Sequence, residues 1–528
     1  QMKAVRINGG ITIDGRLDEP EWQLAEPARD FIQKLPDTGA PASEPTEVRI
    51  LYDQENLYVG IHCFDSAGPD GIVVNDITRD FFTLDSDGFQ IVIDTFNDNR
   101  NAFLFAANPA AGRFDMQIGN DGNAGNTSWD GIWYVETLVD EEGWHVEMAI
   151  PFKTLRFSAA EDQVWGVNFE RRIRRKYEDS YWSPLPPQFR LGRVSLAGEL
   201  DGVKGVKQGS NLYIKPYISA PLQEKEEDDI DFQPQAGLDV KYGLTSQLTL
   251  DLTLNTDFAQ VEADEQRINL TRFSLFFPEK RDFFLENASI FEWGRRSGSS
   301  YRYRPDLLPF FSRRIGLTED GEIVKILGGG RVTGRAGPYS IGALSMQTGE
   351  FGEIPSTNFT VARVRRDILK QSDVGGIFVN KAEAGGRYNR TYGADASFRF
   401  FNYLDLSGYV LKTDSPELQG NDMAGNFQVS WRDDFFDIRA QHLIIDDNFN
   451  PEVGFAPRTG IKKSAGNFAI TPRPENISWI REIRPFIEMD YITNMENGIE
   501  TRRGETGAMV ILSDSSWFGF FREDNFER

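Results

Sequence analysis

Read for period, the chain divides into two regimes. Over 247–255, Leu248, Leu250, Leu252 and Leu254 fall on one side and Thr249, Asp251, Thr253 and Asn255 on the other. Only a strand with one apolar and one wet face can use such a pattern. The same period returns at Tyr392, Ala394, Ala396, Phe398 and Phe400 against Asp395, Ser397 and Arg399. It returns again at Phe436, Ile438 and Ala440 against Asp437, Arg439 and Gln441. Segments of about ten alternating residues with turn residues between them are the signature of an outer-membrane barrel, apolar toward lipid and polar toward its lumen. A soluble sandwich or propeller with one solvated face permits the same alternation, but its strands usually run to about five or six residues. At about 20 to 25 residues per strand and turn, residues 210–528 hold roughly 13 to 16 strands.

Residues 1–209 carry a different pattern. Strand-like runs at 47–51, 57–64, 88–94, 102–108 and 144–150 mix alternating with continuously apolar stretches, and Asp, Asn, Gly and Pro clusters separate them. Two sheets that bury their inner faces against each other give this mixture. The predicted fold class is therefore all-β: an N-terminal β-sandwich over 1–209, then a transmembrane antiparallel β-barrel over 210–528. An acidic, Pro-bounded connector at 221–234 marks the change of regime. The last alternating segments, 508–512 and 517–521, precede a polar stretch, 522–528, that reads as an outgoing loop, so the barrel is expected to be incomplete at its C-terminal end. The first residues carry no basic and apolar leader, which leaves a cytoplasmic protein or a mature terminus after leader removal; the barrel pattern favours the second.

Composition narrows the function. No stretch approaches the roughly 18 apolar residues of a membrane-spanning helix, and a formal charge of −24 argues against a nucleic-acid partner. A single Cys excludes a disulfide framework and a thiolate metal cluster. The three His, at 62, 145 and 442, are far apart in the sequence, so neither a zinc site nor a nucleophile–His pair is indicated. No Gly-rich phosphate loop precedes a helix, and none of the 81 acidic residues is singled out as a glycosidase pair. Gly328-Gly-Gly330 sits within a strand pattern and reads as a bend or a close backbone approach.

The motifs carry a resemblance. Asp14-Gly-Arg-Leu-Asp-Glu-Pro-Glu-Trp22, Asp94-Thr-Phe-Asn-Asp-Asn-Arg100, Gly143-Trp-His-Val-Glu-Met-Ala-Ile-Pro-Phe152 and Trp165-Gly-Val-Asn-Phe169 lie in the first region. Asp257-Phe-Ala-Gln-Val-Glu262, the stretch 269–286, Ser312-Arg-Arg-Ile-Gly316 and Asn450-Pro-Glu-Val-Gly-Phe455 lie in the second. Together they resemble a bacterial outer-membrane family that joins a domain like carbohydrate-binding module family 9 to a C-terminal barrel of unassigned function. The resemblance implies glycan binding by the sandwich; with no catalytic constellation indicated by the residues, the first reading is a non-enzymatic glycan-binding protein whose barrel offers a saccharide a polar passage. A barrel-anchored adhesion or envelope-assembly protein is the second reading, and a glycan-active hydrolase the third. The expected partners are a saccharide or glycan polymer, outer-membrane lipid and other envelope proteins; because short turns face the periplasm, a strand series that begins after an N-terminal domain places the sandwich on the periplasmic side.

Site residues follow from chemistry. Trp22, Trp144 and Trp165 sit beside strand-like apolar residues and read as core. Trp129, Trp133 and Trp182 lie among polar or Pro-rich residues, so each is a candidate platform for a sugar face, against the plainer reading of a loop-capping hydrophobe. Arg79, Asp98, Arg100 and Asn108 are candidate polar forks for vicinal hydroxyls, against an ordinary surface ion-pair network. No cofactor is required, but Asp85 and Asp87 on a turn and Asp121 in a Gly-Asn loop are candidate ligands of a structural calcium ion. The helix-loop-helix calcium template itself fails, because its twelfth position is Phe96. The segment 257–316 is too aromatic and too charged for a plain loop. Arg272, Phe276, Phe277, Glu279, Arg281, Phe283 and Phe284 mark it as a luminal plug, a constriction or a large folded loop.

Overall fold

A computed structural model describes all residues except 82, 123, 128, 208–211, 220–221, 226–228, 233–234, 246, 256–274, 286, 295–304, 319–320, 370 and 475. Residues 1–204 form two facing sheets. One runs in the order Met2–Lys3, Gly198–Lys204, Asp162–Ile173, Gly88–Asp94, Ala102–Ala107, Arg113–Gly119, Ala124–Asn126, and Glu178–Tyr181 and Ile32–Leu35 extend its side. The other runs Tyr134–Asp140, Gly143–Pro151, Asn56–Phe64, Thr46–Tyr52, Val5–Arg6. Val48, Ile50, Val59 and Ile61 of the second sheet meet Phe89, Ile91, Phe105 and Phe169 of the first in one core. Trp144 and Trp165 are buried there, and Trp22 is buried in a smaller cluster on the second sheet.

The second region is a single antiparallel sheet of fifteen strands, from Leu212–Ser219 through Gln235–Gly243 and Leu248–Leu254 to Trp517–Glu527. From Gln235–Gly243 onward its strands pair in chain order. The sheet thus begins before the acidic stretch that looked like a connector. Within that stretch, Leu222–Lys225 and Asp229–Phe232 pair as an extra hairpin. At the other end, the polar residues expected to leave as a loop continue the last strand to Glu527, held by pairing with Ile499–Leu512. Among the described residues the two outermost strands are not paired with each other, so the sheet stays open. The Gly run lies in the strand Ile326–Ala336 beside a register shift. A Cβ on Gly329 would stand 2.4 Å from the Ser345 carbonyl oxygen, so the close approach requires glycine.

This sheet inverts the rule of the sandwich. Thr249, Asp251 and Thr253 are buried, while the alternating Leu252 and Leu254 are 42% and 58% exposed. Farther along, Arg363 and Thr391 are buried while Val364, Tyr392 and Val410 are exposed. An apolar outer surface over a polar inner one suits hydrocarbon outside, the outer-membrane arrangement. No described helix is long and apolar enough to cross a membrane. Successive hairpins turn alternately at two ends. At one end the turns are short, as at 337–338, 369–371, 401–403 and 433–435; at the other they include 255–325, 415–422 and 446–460. Exposed Tyr339, Phe400, Phe401, Tyr403, Phe436 and Trp479 ring the short-turn end, as a girdle at a membrane interface would.

Candidate functional site

The sandwich carries a cleft of about 370 Å³ on the outer face of its second sheet. Adjacent strands supply the floor, because alternation aims Glu47, Arg49, His62 and His145 out of the sheet while their neighbours face the core. The segment 14–24 supplies one wall, and Arg16, Leu17, Asp18 and Gln23 line the cleft from it. Glu147 anchors that segment from below. Fully buried, its carboxylate accepts the Asp14 and Gly15 backbone N–H groups, each at 2.9 Å, and the Trp22 indole N–H at 3.1 Å. Two of the motifs noted in the sequence are therefore halves of one joint. Burial pushes the Glu147 carboxyl up to about 7.

His145 and His62 face each other across paired strands with ring centroids 4.0 Å apart, and His145 Nε2 lies 2.9 Å from Asp140. Burial, and then the neighbouring ring, push the His62 imidazole down to about 4, so it is neutral at pH 7. In the sequence the two His lie far apart, on separate strand-like runs. Only strand register joins residues 83 positions apart, although Gly143-Trp-His-Val-Glu was already conspicuous as a motif.

The sequence-derived sugar residues do not assemble into one exposed platform. Trp129 packs on Phe103 and Phe105 inside the core. Trp133 is 1% exposed, and its indole N–H donates to Asp115 at 2.8 Å. Neither presents a free ring face, because the apparently polar loop folds back over the sheet. Trp182 is half-buried against Phe169. Arg79 pairs with Asp115 and Asp130. It thus lies in the Trp133 network, and Asn108 is nearby, fully buried, donating to the Asp76 carbonyl and capping its own turn.

Asp98 and Arg100 serve a different purpose. Arg100 bridges to Asp367 and Asp373, each at 3.1 Å, and donates to the Ser372 carbonyl; Asp98 pairs with Arg335 at 2.6 Å. Asp121 forms an ion pair with Arg193 at 3.1 Å and accepts a hydrogen bond from Arg399 at 2.7 Å, and Arg193 donates to the Asn402 carbonyl. Arg156 reaches Thr249. These groups bolt the sandwich onto the short-turn end of the long sheet, and Arg100, Asp121, Arg193, Asp373 and Arg399 are all buried there. The three candidate calcium ligands also have their places. The Asp87 carboxylate accepts two backbone N–H groups, Asp121 belongs to the arginines, Asp85 is exposed, and no metal-holding group of three is found among the described residues.

The described part of the inserted segment packs against the inner face of the sheet; Arg272 lies outside the described residues. Phe284, Phe291 and Trp293 share a core with Leu344, Phe359, Val361, Ile377 and Leu411. Arg281 grips Glu279 and donates to the Ser312 and Ile315 carbonyls while lying over Phe284, and Arg313 lies over Phe277. Phe276 stacks on Phe311 and meets Phe455 edge-on, and Arg331 lies over Phe283. At the short-turn end Asn287 donates to Thr333, and the Leu285 carbonyl accepts Asn126 of the sandwich. The motifs at 278–285, 312–316 and 450–455 thus form one node inside the sheet.

Fold and site together define an outer-membrane-type sheet carrying a carbohydrate-module-like sandwich. Residues 13–175 match the family described as carbohydrate family 9 binding domain-like, and residues 210–337 match a domain of unknown function, DUF5916. No curated protein sequence matches the chain. Among solved structures, the chain is similar to a family 9 carbohydrate binding module from Caldicellulosiruptor kristjanssonii in complex with cellotriose, at 16% identity and a TM-score of 0.29, covering 39% of this chain and 96% of the other. It is also similar to Wzi, an Escherichia coli outer-membrane protein involved in group 1 capsule assembly, at 10% identity and a TM-score of 0.28, covering 60% and 82%. OccAB1 of Acinetobacter baumannii follows at 8% identity and a TM-score of 0.26, covering 87% and 94%.

Proposed function

We propose that this protein is a non-catalytic outer-membrane glycan-binding protein whose sandwich stands in the periplasm and captures a saccharide at the mouth of the membrane sheet. The observation that carries the reading is the set of buried ion pairs fixing a carbohydrate-binding-type domain to the short-turn end, the end that faces the periplasm in outer-membrane barrels. The cleft on the second sheet offers Arg16, Gln23, Glu47, Arg49, Asp140 and His145 as forks for sugar hydroxyls. Titrating the full chain in nanodiscs with a panel of oligosaccharides tests the reading. Binding that Arg16→Ala with Arg49→Ala weakens about tenfold is expected; a panel without a single binder would overturn it, as would product formation. Labelling of a cysteine placed in the cleft should require permeabilised cells.

The segment packed along the inner face favours a second role for the sheet, as an anchor closed by a plug rather than an open passage. Excising 275–318 should then raise single-channel conductance; unchanged conductance would count against a plug.

A further inference from the structure

The wall of the sandwich cleft touches the sheet beneath it at three points. Trp22 and Leu17 lie over Gly60, where a Cβ would stand 2.7 and 2.8 Å from them. Gly15, at φ +84°, crosses the strand Tyr134–Asp140 so closely that a Cβ of its own would meet the Thr137 carbonyl carbon at 2.7 Å. Between these contacts the Glu147 carboxylate accepts the N–H groups of Asp14, Gly15 and Trp22. Arg16 and Asp18 lie between those donors in the chain and Gln23 one position beyond them. The same three hydrogen bonds therefore place the polar groups that the segment brings to the cleft.

The charges around Glu147 are mostly of its own sign. The segment supplies Asp14, Asp18, Glu19 and Glu21 with one cation, Arg16, and the neighbouring strand supplies Glu136 directly opposite. On the other side Gly60 brings no side chain, and beyond it Arg49 pairs with Glu47 at 2.9 Å. His145 and His62 lie two positions along one way; Tyr58, the other way, donates to Asp53. Burial, opposed by the Asp14 and Gly15 N–H groups and aided by Glu19, holds the Glu147 carboxyl at about 7. Lifting the segment would wet this carboxyl and return it to its ordinary range near 4.5. Lifting therefore releases a proton, and a rise in pH through about 7 favours the lifted state.

We propose that Glu147 is the positioning residue of the saccharide cleft and that the wall it holds loosens as pH rises, so that the cleft retains its sugar in mildly acid surroundings and releases it in alkaline ones. The inference rests on the glycan-binding reading above and adds the regulation of that cleft.

The test uses the full chain in nanodiscs from about pH 5.5 to about pH 8, with the oligosaccharide panel, cellotriose included, as probes. Hydrogen-exchange protection of 14–24, corrected for the chemical exchange rate, should fall about tenfold over this interval, and bound sugar should dissociate about tenfold faster. Both trends should vanish in Glu147→Gln, which keeps the side chain's size and cannot titrate. Protection or dissociation that is flat in the wild type, or a trend that survives in a folded Gln variant, overturns this inference alone. If no sugar binds at either pH, the glycan reading falls and this one with it. Should Glu147→Gln fail to fold, Glu19→Gln decides: removing the neighbouring anion should shift the fall in protection to lower pH, and an unshifted fall overturns the assignment.

Discussion

In the sandwich, Val48, Ile50, Val59 and Ile61 are fully buried on strands whose alternate side chains, Glu47, Arg49 and His62, line a wet cleft. In the long sheet, Thr249, Asp251 and Thr253 are buried and Leu252 and Leu254 face outward. Both regions obey the same period of two and differ only in which solvent the outer face meets. Alternation therefore reports that the two faces of a strand see different media, and the identity of the media comes from strand length and from what covers the inner face.

The largest expected effect is in the sandwich core. Trp165→Ala should cost about 3–5 kcal/mol and unfold the domain below physiological temperature, measured by thermal melting; a change of less than about 1 kcal/mol would show that the core is not continuous. Val410→Arg, in the middle of an outward-facing run, probes the opposite medium. It should cost roughly 2–4 kcal/mol when the protein refolds into liposomes, whereas Val139→Arg on the sandwich surface should stay within about 0.5 kcal/mol. Equal costs would erase the contrast between the regions.

A pH scan separates them further. The unfolded chain releases the Glu147 proton near 4.5, but the fold holds it to about 7. Across that window the unfolded state binds fewer protons, so sandwich stability should fall as pH rises, by at most about 3 kcal/mol from this group. Asp94, raised to about 7 by burial and by Asp98, adds the same sign. Glu147→Gln should flatten the profile without abolishing its slope, and parallel profiles would remove Glu147 from the account. The joint between the regions gives the smallest effect. Arg100→Met leaves Asp373 buried, but Asp367 keeps Arg335, so docking should weaken by about 2 kcal/mol. Spin-label distances across the joint should broaden while the sandwich melts unchanged.

Local chemistry was enough to read the strands, the two regimes, the core roles of Trp22, Trp144 and Trp165, and the Gly328–Gly330 approach, because each depends on side-chain period or on the space at a single backbone position. It was not enough for Trp129 and Trp133, whose polar neighbours concealed a loop folded onto Phe103 and Phe105. Nor could it separate a sugar fork from an ion pair: Asp98 and Arg100 look like free surface groups until Arg335, Asp367 and Asp373, more than 200 positions away, close on them. The His62–His145 pair was equally hidden, since strand register brings it together. Which faces are apolar is legible strand by strand, because it is a property of each strand alone; which charges meet is settled by the folded chain, because the energy of a charge depends on the partner and burial that distant segments supply.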